Sequence, residues 1–477
     1  MLPLLYLLPT VYCHKGGVPP PLLCLLFTVC CLPFPAAPVS SETMGWAATY
    51  GGGAKSEHAC SVQQTHDGGY IVGGWTDSFG AGGRDIWVLK LRPDGTVEWQ
   101  KSYGGDSSDS AKATQQTSDG GYIVAGSTDS FGAGKKDVWV LKLGADGAVE
   151  WQKTYGGAEG AGAEYIQQTR DGGYIVAGHA GFDVWVLKLR PYGTIEWQKT
   201  YDTGFGYDWV FCIHETSDGG YIMAGDTSHS STKGGDLWVL KLNSDGEVEW
   251  QKTYGGDELD RAHCIHETRD GGYIVAGRTD SSCVGRGFPD IWVLKLRADG
   301  TVEWQKVYGV WYGFGYGLGR AGWDEAQAIH ETSDGGYILL GLTGCGDVVR
   351  GTRGSRDEAV LLLKLRADGT IEWQKTYGER GLLWSPQAIH ETSDGGYVVA
   401  AAGRYRTRGD ICILKLNPDG SINHPCDFPI GDASISVLES NARVLDTQAV
   451  VMDSNVSPRE SAAIVLTTDA QPESLCH

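Results

Sequence analysis

The string Asp-Gly-Gly-Tyr occurs seven times in this chain, at Asp67–Tyr70, Asp119–Tyr122, Asp171–Tyr174, Asp218–Tyr221, Asp270–Tyr273, Asp334–Tyr337 and Asp394–Tyr397. Self-similarity of this kind demands an architecture made of stacked or radially arranged copies. A second string, typified by Asp137–Leu143 (DVWVLKL), follows each copy, and then a third, DGxVEWQK in most copies, with Trp at 99, 151, 197, 250, 304 and 373. In Ile86-Trp87-Val88-Leu89-Lys90-Leu91 β-branched and aromatic residues dominate and side chains alternate between two faces, which reads as a strand. Runs this short, bounded by DGG and PDG, are too brief for helices. Each unit therefore has four strands: A ends in QQT or HET, B is GGYIVAG, C is WVLKL and D is VEWQKTYGG. Four strands in about 50 residues, repeated seven times, suit radial closure. The fold expected is all-β, a seven-bladed β-propeller of four-stranded antiparallel blades spanning residues 44–425.

Loop lengths divide into two sets. Thr to Tyr across the A–B turn is five residues in every unit, and Leu to Trp across the C–D turn is eight from Leu91–Trp99 to Leu365–Trp373. If Pro93-Asp94-Gly95 is a three-residue loop with Gly in αL, Lys90 sits opposite Glu98. The same pairing gives Lys142–Glu150, Lys188–Glu196, Lys241–Glu249, Lys295–Glu303 and Lys364–Glu372, scaffold pairs at roughly 0.2–1 kcal/mol each. All length variation falls in the B–C and D–A loops, which share one face of an antiparallel meander. Binding residues concentrate on loops carried by a rigid scaffold. Units five to seven vary most, and aromatic and Arg side chains are the usual anchors of a binding surface. The candidate binding residues are therefore Trp311, Tyr312, Phe314, Tyr316, Trp323, Arg350, Arg353, Arg356 and Trp384, against the alternative that these Gly-rich loops only cap the channel.

The pattern GGYIVAGxTDSFGAGxxDVWVLKLxxDGxVEWQKTYGG resembles the bacterial and archaeal seven-bladed β-propeller (SBBP) repeat over residues 46–424. Its DGxVEW portion is similar to the Trp-docking turn of pyrroloquinoline-quinone propellers. The resemblance implies the fold and not the activity, since propellers host unrelated functions. Quinone dehydrogenases of that kind commonly have eight blades and a dedicated metal site, and neither is matched here.

Two residues before the Thr of strand A stand Gln63, Gln115, Gln167, His214, His266, His330 and His390, a ring read as hydrogen-bonding to the neighbouring blade, as are Glu215, Glu267, Glu331 and Glu391 beside the histidines. No Ser-His-carboxylate set or local metal spacing accompanies them. Cys60, Cys212 and Cys264 fall at small-residue positions of strand A, where other copies carry Ala113, Ala328 and Ala388, and read as small core residues. No CxxC pair occurs among the twelve cysteines, so no catalytic, metal or cofactor assignment is made.

Both ends of the chain depart from the repeat. Residues 1–41 carry one charge, Lys15, and an apolar run from Leu22 to Cys31, in the pattern of a secretory signal. A true start at Met44 would instead leave a cytoplasmic protein. Unit seven lacks the Glu-Trp of strand D, while Gly45–Tyr50 matches strand D, so residues 45–50 are expected to close the ring on Asp410–Leu416 as the outer strand of unit seven. Residues 426–477 form a tail with a seven-residue repeat, read as short extended pieces with a bend per repeat, or as partly disordered. A possible disulfide between Cys426 and Cys476 would bracket it. The net charge of −20 argues against nucleic acid, which needs a basic stripe, and against an anionic membrane. The sequence thus points to an exported, monomeric, non-enzymatic binding propeller for a protein or glycan at the cell surface or in the medium. The alternatives are an enzyme with a site at the central channel, of quinone-dehydrogenase or glycan-lyase type, and a structural cell-surface component.

Overall fold

A strand such as Asp137–Leu143 is apolar on both faces, so it must be covered on both, and the blades supply that cover to one another. The computed structural model describes residues 45–51, 55–203, 206–228, 234–281, 289–310, 323–345, 357–378, 383–405, 408–422 and seven short tail strands between 430 and 474. The leader, Trp311, Tyr312, Phe314, Tyr316, Arg350, Arg353, Arg356, Cys426, Cys476 and the side chain of Trp384 lie outside the described residues. Every regular element described is a strand, and the strands form seven antiparallel sheets. The fold is a seven-bladed β-propeller. In blade 2 strands A to D are Asp109–Gln116, Tyr122–Thr128, Asp137–Leu143 and Val149–Tyr155.

Blades pack face to face by a fixed rule. Ile86 and Val88 on one face of strand C in blade 1 meet Trp139, Leu141 and Leu143 on the opposite face of blade 2, and Val138 and Val140 then meet Trp185, Leu187 and Leu189 of blade 3. The Trp139 ring is fully buried. A ring of roughly 200 Å2 at ~25 cal/mol/Å2 contributes about 5 kcal/mol before ordering entropy is counted. Polar bonds fix the register between blades. The hydroxyls of Tyr50, Tyr103, Tyr155, Tyr201, Tyr254, Tyr308 and Tyr377 each donate at 2.6 Å to a carbonyl in the next blade's C–D turn, from Gly95 round to Gly420. Strand-D tryptophans dock beside them, as where Trp99 Nε1 donates to Ala145 O at 3.1 Å. Gly147 is required at this junction: its φ is +75°, and a Cβ would come within 2.8 Å of the Trp99 ring.

The C–D turn refines the expected register. Gly95 is in αL, but Lys90 pairs across the ladder with Trp99, because a bulge displaces Glu98. The charges still meet, at 3.4 Å for Lys90–Glu98 and 3.2 Å for Lys142–Glu150. A closer partner is the Asp of the A–B turn: Lys90–Asp67 is 2.8 Å and Lys415–Asp394 is 2.9 Å, as in the other five blades. Burial pushes the Asp67 carboxyl up, but hydrogen bonds from Lys90, Thr65 and Gly69 outweigh it and hold the group at about 2.

The ring closes as the sequence implies. Trp46–Tyr50 pairs antiparallel with strand C of blade 7, Ala47 opposite Leu414 and Tyr50 opposite Ile411. It is not the outermost strand, because the tail lies beyond it. Each blade takes a fifth strand from the tail, in reverse order: Ile430–Gly431 on blade 6, then Ile435–Glu439, Arg443–Asp446, Val450–Asp453, Arg459–Glu460 and Ile464–Thr467 on blades 5 to 1, and Pro472–Ser474 on the closing strand of blade 7. The register explains the heptad. Strand-D residues Tyr377, Tyr308, Tyr254, Tyr201, Tyr103 and Tyr50 face Ile430, Val437, Val444, Val451, Val465 and Pro472. One seven-residue repeat passes one blade, and the belt covers part of every outer edge, which would otherwise be open to pairing with other chains.

Candidate binding site in the central channel

Strand A of each blade lines the channel, and each carries a β-bulge at the same position. In blade 1 Ala59 pairs with Gly74 and Ser61 with Gly73, so Cys60 has no partner across the ladder. The corresponding unpaired residues are Lys112, Glu164, Phe211, His263, Gln327 and, in blade 7, Gln387. A bulge re-aims its extra side chain, and all seven of these residues line one cavity of about 430 Å3. The last glycine of GGYIVAG exists to allow this bulge, since a Cβ on Gly126 would fall 1.9 Å from Ser110 O. Blade 7 has Ala401 instead, and there strand A is irregular at two points, with Ser385 at a φ of +54°.

Charges at the mouth are paired among themselves. Lys112 Nζ lies 2.9 Å from Glu164 Oε2. Beside them His58 stacks on Trp75, with ring centroids 5.5 Å apart and planes within 3°, and the Arg84 guanidinium lies 3.5 Å from the Trp75 centroid. Across the channel His263 Nε2 is 2.5 Å from Glu325 Oε1, Arg278 Nη1 is 3.7 Å from Glu325 Oε2, and Arg261 Nε is 3.2 Å from Asp226 Oδ2. Burial opposes the charge on Glu325, yet His263, Arg278 and Arg261 hold its carboxyl below the usual range. The rim above carries Trp323, 46% exposed, with Arg278 at 5.2 Å from its ring. Of the nine loop residues expected to bind, Trp323 is the one whose side chain is described, and it stands at this rim.

Toward the constant-turn face the ring of Gln and His closes in. The glutamines bond to the next blade as expected: Gln63, Gln115 and Gln167 accept from the backbone N–H of Gln116, Gln168 and Glu215. The acids bond to the preceding blade, with Glu267 accepting from Ser217 N and Glu391 from Ser333 N. The histidines do something further. His214, His266, His330 and His390 pack ring against tilted ring in an arc, with centroids 4.0, 4.3 and 4.8 Å apart. Burial lowers His390 to about 4, helped by His266, and drives His214 and His330 well below the ordinary range.

Cys60 departs from its expected place. Ser61, not Cys60, shares the register of Cys212, Cys264 and Ala113, and Cys60 belongs to the bulge ring. Its thiol lies 3.7 Å from His58 Nδ1, and His58 Nε2 lies 3.4 Å from Ser385 Oγ. Burial raises the Cys60 thiol to about 11 and lowers His58 to about 4, so both are neutral near pH 7.

Two stretches, residues 66–98 and 392–424, match the family described as domain of unknown function (DUF5122) beta-propeller. These stretches run from one A–B turn to strand D in blade 1, and from the last A–B turn through strand C of blade 7. No curated protein matches the chain. Among solved structures, a member of the DUF4221 family from Bacteroides vulgatus is similar at 8% identity, over 82% of this chain and 97% of that one, with a TM-score of 0.33. A GH43 glycoside hydrolase engineered to show both endo-xylanase and exo-arabinofuranosidase activity is similar at 11% identity, over 88% of this chain and 84% of that one, with a TM-score of 0.24.

Proposed function

We propose that this chain is a non-enzymatic binding propeller that takes a neutral, hydroxyl-rich ligand, a glycan end, into the mouth of its channel from the variable-loop face. The bulge ring carries the reading. The last three residues of strand A nearly repeat by blade, but the bulge position holds Cys60, Lys112, Glu164, Phe211, His263, Gln327 and Gln387, and all seven face one cavity. A concave site with a few convergent polar groups on a rigid frame is the usual form of a small-molecule site. The choice of a neutral ligand follows from the charges, because Lys112 is matched by Glu164, and Glu325 by His263 and Arg278. Gln327 and Gln387 offer both donors and acceptors, and Phe211 and Trp75 supply apolar ring surface. Trp323, beside Arg278, stands at the outer rim of the same site.

The nucleophile–base contact at the channel mouth, Cys60 with His58, favours binding over catalysis there. A thiol at about 11 beside an imidazole at about 4 supplies little thiolate, which is the reactive form. The test is a glycan array probed with the full chain, with Gln327→Ala/Gln387→Ala, and with Tyr192→Ala, whose exposed side chain lies on a C–D turn of the opposite face. Hits should disappear in the first variant and persist in the second. Hits indifferent to both glutamines would overturn the reading.

A further inference from the structure

The sequence Cys-Ile-His occurs twice, as Cys212–His214 and Cys264–His266, at one register of strand A in adjacent blades. Residues two apart on a strand share a face, so two thiols and two imidazoles meet on the channel wall. Cys212 and Cys264 pack in one buried cluster. Each sulfur points across to the following blade, Cys212 Sγ to Ile265 O at 3.4 Å and Cys264 Sγ to Ile329 O at 3.5 Å. The two histidine rings lie 4.0 Å apart and tilted by 36°, and His214 is 8% exposed with no hydrogen-bond partner on Nε2. Cys212, Cys264 and His266 all line the 430 Å3 cavity. The scaffold does not require sulfur here, since Ser61, Ala113, Ala328 and Ala388 hold the same register in other blades.

Among the described residues no three His, Cys, Asp or Glu groups converge to hold an ion, which argues against a four-ligand zinc site. A soft closed-shell ion needs less, because two sulfurs in line satisfy it, and thiolates select Cu(I) among biological metals. We propose that Cys212 and Cys264 form a two-thiolate site for a thiophilic d10 ion of the Cu+ class, reached through the channel. Binding is ligand exchange without oxidation. Each thiol releases its proton to channel water, each sulfur donates a lone pair to the ion, and the ion leaves its carrier, giving a singly negative bis-thiolate. This inference does not depend on the glycan reading.

The test is anaerobic titration of the reduced full-length protein with Cu+ held by a chromogenic chelator. Wild type should withdraw one more equivalent than Cys212→Ala or Cys264→Ala, each of which installs the residue native to three other blades. Cys60→Ala, which alters the other channel thiol, should match wild type. Circular dichroism melts of the alanine variants should overlay wild type, so that a loss of copper is not a loss of fold. Equal copper uptake by wild type and both variants would overturn the proposal, and so would an equal fall in Cys60→Ala.

Discussion

Replacing His390 by glutamine tests the packed histidine arc with a side chain already native at this register in blades 1 to 3, as Gln63, Gln115 and Gln167. Burial against its neighbours lowers His390 to about 4, whereas an unfolded chain protonates histidine near 6.5. Above 6.5 both states are neutral and the full stability is present. As pH falls from 6.5 toward 4 the unfolded state takes up a proton that the fold refuses, and stability is lost. A difference of about 2.5 units at 1.36 kcal/mol each sets an upper bound near 3.4 kcal/mol, and water in the cavity beside the ring reduces it to roughly 2–3. Urea unfolding followed by tryptophan fluorescence at pH 7.5 and 4.5 would measure it. Wild type should lose about 2 kcal/mol more than H390Q between the two pH values. Buried carboxyls that titrate in the same window are common to both proteins and cancel in the comparison. Equal losses would show that the ring protonates freely and that the arc imposes no cost.

Glu57 gives the opposite sign. Burial, with Asp410 beside it, raises its carboxyl to about 7, so it costs stability progressively as pH rises from about 4.5 to 7, and Glu57→Gln should unfold at higher urea than wild type at pH 8. The A–B turn aspartates, held at about 2 in blades 1 to 6, contribute stability above about 3.8 that is lost as pH falls toward 2. Lys142→Met should therefore flatten the acid unfolding curve in that range. Tyr103→Phe removes a buried 2.6 Å bond to Gly147 O and should cost about 1–2 kcal/mol in urea unfolding. Truncation after residue 426 leaves the closing strand in place. It should preserve the far-ultraviolet spectrum while promoting self-association on size-exclusion chromatography, through the strand-D edges it uncovers.

Much of the frame was legible because the repeat states it seven times. The DGG and PDG turns, the alternation in Asp137–Leu143 and the orphan strand Gly45–Tyr50 each specify a local geometry, and closure of the ring follows from the last. The Lys–Asp contact was hidden because Asp67 had an evident role in its own turn, and its lysine lies across a hairpin at position 90. The belt was half visible: seven-residue spacing gave bent extended pieces, but nothing in Leu438 or Val451 names strand D as their partner. The bulge ring was missed for a physical reason. One extra residue in strand A breaks the two-residue alternation and hides which side chains share the channel; setting Cys60 beside Ala113 is a slip of one residue, since Ser61 stands four before its Thr as Ala113 does. The signal was nonetheless present, since the residue five before Thr scarcely repeats from unit to unit, as Lys112, Glu164, Phe211 and His263 show.

The account stands on the bulge ring as the place where this propeller meets its ligand. A crystal structure of the full chain soaked with the strongest array hit tests it most directly. Density for the ligand should lie in the channel mouth, within hydrogen-bond reach of Gln327 and Gln387 and against Phe211 or Trp75. Density confined to loop tips or to the C–D turn face, with the channel cavity unchanged, would contradict it.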